Sequence, residues 1–281
     1  MKGNLSNAYQ IEFSLSIRWI RSGYLWYLGI PVAERLMRHV KIMVYGREFS
    51  KVYDEKWTAW GARMWPFLFR LAKENCPEAA SWLDLCCGPG ALLKYVTERD
   101  FSGFGVDISP HQIQIAKYRV PKAYFCVDDV CDLSLSQKFD IITCTYDSLN
   151  YLTKKRDLER AFRKASLHLA DAGVFLFDMN TFEGLQDKWC ETHIMREPSK
   201  TIIVEASFNE RRALGKCFIT GFVKEGPFYR TFEETHIERG YTREEIEQSL
   251  TKTGFAFKVY DGDTFRRPRE RSGRLLYICK R

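Results

Sequence analysis

The chain has no C-x-x-C pair, although it holds nine cysteines. An odd count without that spacing argues against a disulfide framework or a structural zinc site. Cys86 and Cys87 are adjacent, and neighbours in sequence rarely bridge each other or ligate one metal. No secretory leader is evident ahead of them, so a reducing, cytoplasmic setting is the expectation. Long apolar runs are missing too. None reaches the ~18 residues of a membrane span, and the most apolar early stretch, 17–32, is broken by Arg18 and Arg21. There is no internal repeat and no low-complexity tract, which excludes solenoids and disordered linkers.

What is present is the material of an ordinary globular protein. The 281 residues are 45% hydrophobic and 28% charged, enough to bury a full core. At ~150 residues per domain this allows two units, or one large α/β domain with an insertion. Aromatics reach 15%, which fits a packed core first and a substrate pocket second. The net charge is +7. Much of it lies in the first fifty residues and in the cluster Arg266, Arg267, Arg269, Arg271 and Arg274. The simplest role for such charge is a solvated surface. Nucleic acid, anionic lipid or an anionic substrate are the alternatives.

Residues 1–45 read as a helical extension, with helices near 6–28 and 32–45. A further helix is expected over 54–75, where Trp57, Trp60, Met64, Trp65, Leu68 and Leu71 recur at spacings of 3 to 4. Strand and helix then alternate. Strands are expected at 81–85, 104–107, 123–127, 139–145 and 173–179, with helices at 91–99, 111–119 and 158–169. This order means parallel βαβ units. After Asn180 the rhythm changes. Three stretches rich in β-branched and aromatic residues, 201–208, 216–223 and 228–236, read as an antiparallel meander set into the core. Thr242 and Glu245 form a capping box for a helix that Gly254 ends. Strands at 255–260 and 275–280 complete the chain.

The sharpest motif is Asp84-Leu85-Cys86-Cys87-Gly88-Pro89-Gly90, between the first strand and its helix. Glycine allows a tight turn and close approach of a ligand to the backbone. The helix N-terminus that follows offers free N–H groups. In open α/β sheets the ligand crevice lies beyond the carboxyl ends of the strands. A dinucleotide site would carry G-x-G-x-x-G without a preceding acid. Here Leu93 stands at the third glycine position and Asp84 opens the turn. Asp84 suits a ligand with an amino end. Asp107, closing the second strand, suits the two hydroxyls of a ribose.

These residues resemble the first motif of class I S-adenosylmethionine (SAM)-dependent methyltransferases, an acid followed by three alternating glycines. Asp84, Gly88 and Gly90 match, and Cys86 replaces the first glycine. Asp107 in Gly-Val-Asp-Ile, Asp129 in Asp-Asp-Val-Cys-Asp-Leu, and the pair Phe139-Asp140 also match. The resemblance covers residues 48–281. It implies a Rossmann-like, mostly parallel seven-stranded sheet carrying an antiparallel β cap and an N-terminal helical extension. The implied divisions are 1–45 (extension), 46–180 (SAM-binding core), 181–238 (substrate cap) and 239–281 (end of the core). The cofactor residues it implies are Tyr53, Asp84, Cys86, Gly88, Gly90, Asp107, Ile108, Asp129, Val130 and Thr145. Asp129 would meet the adenine amino group and Val130 would line its pocket. SAM would be the methyl donor and S-adenosylhomocysteine the product, with no metal expected.

Three segments, Tyr146–Leu152, Phe175–Thr181 and His236–Tyr241, are similar to bacterial small-molecule methyltransferases with a β-rich cap, among them sugar N,N-dimethyltransferases. The segment Phe49–Asp54 resembles their N-terminal tyrosine motif. The D/N-P-P-Y/F motif of exocyclic-amine DNA methyltransferases is absent: Thr145-Tyr146-Asp147-Ser148 stands there. The expected partner is therefore a small-molecule acceptor, methylated at N or O, and not nucleic acid. The protein is expected to be a monomer or a homodimer. The rival readings are an RNA or protein methyltransferase, a non-catalytic SAM-binding protein and a nicotinamide oxidoreductase.

Methyl transfer needs position, orientation and a dry cavity. An ammonium acceptor of pKa ~9–10 must also lose a proton, which costs ~3–4 kcal/mol at pH 7. Tyr151, His236 and Tyr53 are the catalytic candidates. Tyr146, Tyr151, Asp178 and Tyr241 are the candidates for substrate binding. His236 is flanked by Glu234 and Glu238 and has the right intrinsic pKa range for a base.

Overall fold

A computed structural model describes residues 44–281. The helices expected at 6–28 and 32–45, and the extension they would form, lie outside the described residues except for 44 and 45.

The first two elements are α1 (Arg47–Lys56) and α2 (Ala59–Asn75). A single helix was expected at 54–75. The structure breaks it at Trp57 and Thr58, where the Thr58 hydroxyl takes the Asp54 carbonyl at 2.7 Å. A side chain that bonds a nearby carbonyl competes with the helical ladder. The core then runs β1 (Ser81–Leu85), α3 (Ala91–Thr97), β2 (Ser102–Asp107), α4 (Pro110–Arg119), β3 (Tyr124–Val127), β4 (Phe139–Cys144), α5 (Lys155–His168) and β5 (Leu169–Asn180). Next come α6 (Phe182–Lys188) and four strands, β6 (Thr192–Glu197), β7 (Lys200–Asn209), β8 (Leu214–Glu225) and β9 (Phe228–Arg239). The chain closes with α7 (Arg243–Lys252), β10 (Ala256–Asp261) and β11 (Arg274–Lys280).

Seven strands form one sheet in the order β10-β11-β5-β4-β1-β2-β3. Pairings among β1 to β5 are parallel, whereas β11 runs antiparallel to both β5 and β10. Central strands of such a sheet are covered on both faces and read as unbroken apolar runs. Trp82, Leu83 and Leu85 of β1 and Ile141, Ile142 and Cys144 of β4 are fully or almost fully buried. Helix ends follow local chemistry. Ser109 caps α4 by accepting from the Gln112 N–H, with Pro110 at the first turn. Thr242 and Glu245 form the expected capping box on α7.

The remaining four strands make a separate antiparallel sheet in the order β6-β7-β8-β9. It has one strand more than the sequence pattern indicated, and α6 precedes it. The two ends of this insertion leave the core side by side. The amide of Asn150 donates to the carbonyls of Asn180 and Arg239, each at 2.8 Å, and the Asn150 side-chain oxygen accepts from Asn180 N at 3.0 Å. Phe182 N bonds Tyr241 O at 3.0 Å. At the same joint α6 touches the chain ahead of β11 so closely that a Cβ on Gly184 would overlap the Gly273 carbonyl. Among the described residues no helix is long and apolar enough to cross a membrane.

Candidate active site

The turn after β1 is built from left-handed backbone. Cys86, Gly88 and Gly90 have φ of 54°, 52° and 75°. This conformation costs an L-residue about 1–2 kcal/mol and glycine nothing. Cys86 therefore sits in a glycine conformation at the motif's departure from glycine. The turn is held from below: Gly88 N donates to Asp107 at 2.8 Å, and Ser109 N donates to its other oxygen at 2.8 Å. Each carboxylate oxygen keeps lone pairs for a ligand hydroxyl. Burial raises the Asp107 carboxyl above its ordinary pKa, and the two backbone bonds oppose this.

Above the turn lies a half-open cleft. Tyr53 from α1, Trp57 at the helix break, Trp60 and Gly61 from α2, Asp84, Cys86 and Gly88 in and beside the turn, and Thr145 and Tyr146 after β4 all line it. Burial pushes the Asp84 carboxyl up to about 7, even though the Thr143 hydroxyl donates to it at 2.7 Å. Of the expected cofactor residues, Tyr53, Asp84, Cys86, Gly88 and Thr145 converge here. Gly90 begins α3 just behind them. Asp107, Ile108, Asp129 and Val130 stand to one side, at and after the ends of β2 and β3. Ile108 is exposed, while Val130 is buried in the core.

One wall rests on a strained turn. Tyr146 and Asp147 both have positive φ, 63° and 52°. Their N–H groups donate to Asp178 at 2.6 and 3.2 Å. Arg274 bonds both Asp178 and Asp147. Its guanidinium also lies 4.6 Å from the centroid of the Trp60 ring, which stacks on Tyr146 at 5.3 Å. Asp178 was expected at the substrate face. It is fully buried instead, as an ion-pair partner inside β5. Arg274 was expected among solvated arginines and is 4% exposed, whereas Arg266, Arg267, Arg269 and Arg271 are at the surface.

A second group of polar residues faces the core from the cap. Side chains two apart share one face of a strand. Glu234, His236 and Glu238 of β9 are all buried, while Ile237 between them is exposed. The pattern is inverted, polar in and apolar out. His236 Nδ1 lies 2.9 Å from the Tyr151 hydroxyl, which lies 3.1 Å from the Tyr45 hydroxyl. Glu234 accepts from Tyr45 N and Gly46 N at 2.8 and 2.7 Å. The Tyr45 and Tyr53 rings meet edge-on at 5.0 Å, which links this cluster to the cavity. Tyr151, His236 and Tyr53, the expected catalytic residues, are thus neighbours.

Tyr241, expected at the substrate, is placed elsewhere. It is fully buried in the core and its hydroxyl donates to the Leu152 carbonyl, beneath the turn that presents Tyr151. Trp60 was foreseen only as part of a tryptophan-rich helix, and sequence reasoning missed Tyr45, Arg274 and the role of the β9 face. Only the last left a signal, the alternation Glu-x-His-x-Glu.

Acids ending β1 and β2, a glycine turn and a crevice at the carboxyl ends of a parallel sheet define a class I methyltransferase site. The residues present fit SAM: glycine at Gly88 leaves open space toward Tyr53, and Asp84 and Asp107 offer acceptors for an amino group and a ribose. The chain is a SAM-dependent methyltransferase similar to those of class I, with SAM as methyl donor and S-adenosylhomocysteine as product. Residues 83–173 match the family described as a methyltransferase domain. The chain is 26% identical over 210 residues to dTDP-3-amino-3,4,6-trideoxy-alpha-D-glucopyranose N,N-dimethyltransferase of Streptomyces venezuelae, covering 74% of this chain and 86% of that one. It is 27% identical over 253 residues to YqeM of Bacillus subtilis (strain 168), itself only provisionally assigned as a methyltransferase, covering 85% and 98%. Among solved structures, a SAM-dependent methyltransferase from Clostridium acetobutylicum ATCC 824 superposes with a TM-score of 0.74 at 26% identity, covering 83% and 97%.

Proposed function

We propose that this methyltransferase acts on an amino or hydroxyl group of a small, sugar-like acceptor held between the Tyr146–Tyr151 turn and the buried face of β9. The observation that carries this is the polar face itself. Three ionisable side chains turned inward from a cap strand, next to a cofactor cavity, are costly to bury unless they meet a polar ligand. The Streptomyces venezuelae relative is an amino-sugar N,N-dimethyltransferase by name, which supports the acceptor class.

When bound, the sulfonium of SAM supplies the methyl group and the leaving group. The chain's own residues supply position and a dry cavity. Tyr53 and Tyr146 wall the cavity, and Tyr151, fixed by His236 and Tyr45, presents a hydroxyl to the acceptor. His236 orients Tyr151 more than it takes protons. Burial lowers its pKa to about 4. Accepting a proton from an ammonium of pKa ~9–10 would then cost about 7 kcal/mol, far more than the orientation it provides. Tyr241 and Asp178 act one step removed, under the two turns that carry Tyr151 and Tyr146. No disulfide joins the cysteines of the described residues, which supports a reducing, cytoplasmic location.

The test is to incubate the protein with SAM and a panel of free and nucleotide-linked amino sugars and their hydroxyl counterparts. Gains of 14 mass units per methyl group with matching S-adenosylhomocysteine release are expected for one class of them. Labelling of RNA or protein alone, with affinity falling steeply in salt, would replace this reading by the macromolecular one.

A further inference from the structure

The buried face of β9 ends on a carboxylate with an open position. Glu238 is 3% exposed, and its Oε2 has no hydrogen-bond partner. Asn180 hydrogen-bonds the carboxylate. Burial raises the hydroxyls of Tyr45, Tyr146 and Tyr151, and the nearby Glu238 charge adds to this. Glu238 therefore lies among the three tyrosines of the proposed acceptor wall. Leaving a buried carboxylate oxygen unmatched is expensive, and such an orphan is a place for a ligand donor.

The charge count says which donor. Asp147 acts on both Asp178 and Glu238, Arg274 acts on all three, and Lys188 feels Asp263 as well as Asp147 and Asp178. Arg274 is taken up by Asp147 and Asp178. Lys188 reaches Asn180 Oδ1 at 3.4 Å rather than the Glu238 oxygen. With Asp263 beside Lys188, four carboxyl groups face two cations, so Glu238, when ionised, has no cation of its own. The rings of Tyr45, Tyr146 and Tyr151 are neighbours suited to a cation. A hydroxyl acceptor would satisfy the hydrogen bond and leave the charge unbalanced.

We propose that Glu238 is the anchor for the acceptor's ammonium group and the base that takes its proton, so that the site selects amines over alcohols. The step balances simply. The ammonium N–H bond breaks, its proton passes to Glu238 Oε2, and the nitrogen keeps the electron pair for attack on the methyl group. Buried ammonium and carboxylate become neutral amine and carboxylic acid, an exchange that burial favours. Burial indeed raises the Glu238 carboxyl well above its ordinary range. Unlike His236, Glu238 is a base that gains from desolvation. The proposal rests on the acceptor reading above but narrows it to nitrogen.

The experiment is calorimetric titration of the protein saturated with S-adenosylhomocysteine, using two probe pairs: 3-amino-3-deoxyglucose against glucose, and cyclohexylamine against cyclohexanol. A charge-assisted hydrogen bond predicts a preference for each amine of about 10- to 100-fold. Glu238→Gln should abolish the preference with S-adenosylhomocysteine affinity unchanged, which also shows that the variant is folded. Glu238→Asp, which keeps the charge, should retain it in part. Equal binding of amine and alcohol, or an undiminished preference in Glu238→Gln, overturns the proposal. If cyclohexylamine is preferred and neither sugar binds, the ammonium site stands and the sugar-like acceptor falls.

Discussion

Asp178 accepts a 2.6 Å hydrogen bond from the backbone N–H of Tyr146, and thereby fixes the aromatic ring that walls the cofactor cavity. Two consecutive left-handed residues are unfavourable in isolation. The turn persists because Asp178 takes both N–H groups and Arg274 takes both nearby carboxylates. Asp178→Asn keeps an oxygen for the N–H groups but removes a charge from Arg274. Unpairing a buried charge costs about 3–5 kcal/mol, and Asp147 remains as a partner, so a loss of about 2–3 kcal/mol is expected in urea unfolding. Methyl transfer should fall further than SAM affinity. Unchanged stability would mean that Asp147 alone holds Arg274.

Asp107 supports the Gly88 turn, and we propose that it also offers lone pairs to a ribose. Asp107→Ala should weaken SAM at least ~10-fold by calorimetry, each tenfold being ~1.4 kcal/mol. It also orphans the Gly88 and Ser109 N–H groups, so about 1–3 kcal/mol of stability should go with it. A loss of stability with full SAM affinity would confine Asp107 to the turn.

With Asp84 as the proposed partner of the SAM amino group, SAM affinity should depend on pH. The Asp84 carboxyl is pushed up to about 7 by burial, so in the free protein it is largely protonated below that pH. A ligand amino group selects the ionised form. Affinity should climb by up to tenfold per pH unit from about pH 5 to 7 and then level. The stability of the free protein should move the other way. A carboxyl raised on folding favours the folded state fully at low pH, and this contribution is lost as pH rises toward 7. Asp84→Asn should show weak, pH-independent SAM binding and no such loss.

Cys86→Gly should stabilise the fold. The αL conformation costs an L-residue about 1–2 kcal/mol, while glycine gives back about 0.4–1 through the unfolded chain. A gain of about 0.5 kcal/mol in thermal or urea unfolding is expected. A loss of 1 kcal/mol or more would mean that the thiol's packing against Cys144 outweighs the backbone.

The α/β core was legible because its strands are buried on both faces and bounded by clear turns. Asp84, Gly88 and Asp107 were legible because one short motif carries the whole turn. What escaped has physical reasons. β6 is exposed along nearly its whole length, so Thr192–Glu197 carries no apolar alternation. α6 has only seven residues, one of them Gly184, and depends on its Thr181 cap. Trp60, Tyr146 and Arg274 form one stack from positions up to 214 apart, and no local pattern reports such a contact. Asp178 and Tyr241 were expected at the substrate. Spacing could not tell a residue facing a ligand from one bracing the turn behind it.

The grip of Asn150 on the carbonyls of Asn180 and Arg239 makes the cap a detachable cassette. Its entry and exit meet at one side chain, so the core sees a short bridge whatever is threaded between them. The roughly sixty residues between them could be exchanged at that clasp, and, under the proposed acceptor site, the acceptor with them, while the core sheet stayed the same. Transplanting caps between methyltransferases at this joint is therefore a direct route to new specificities.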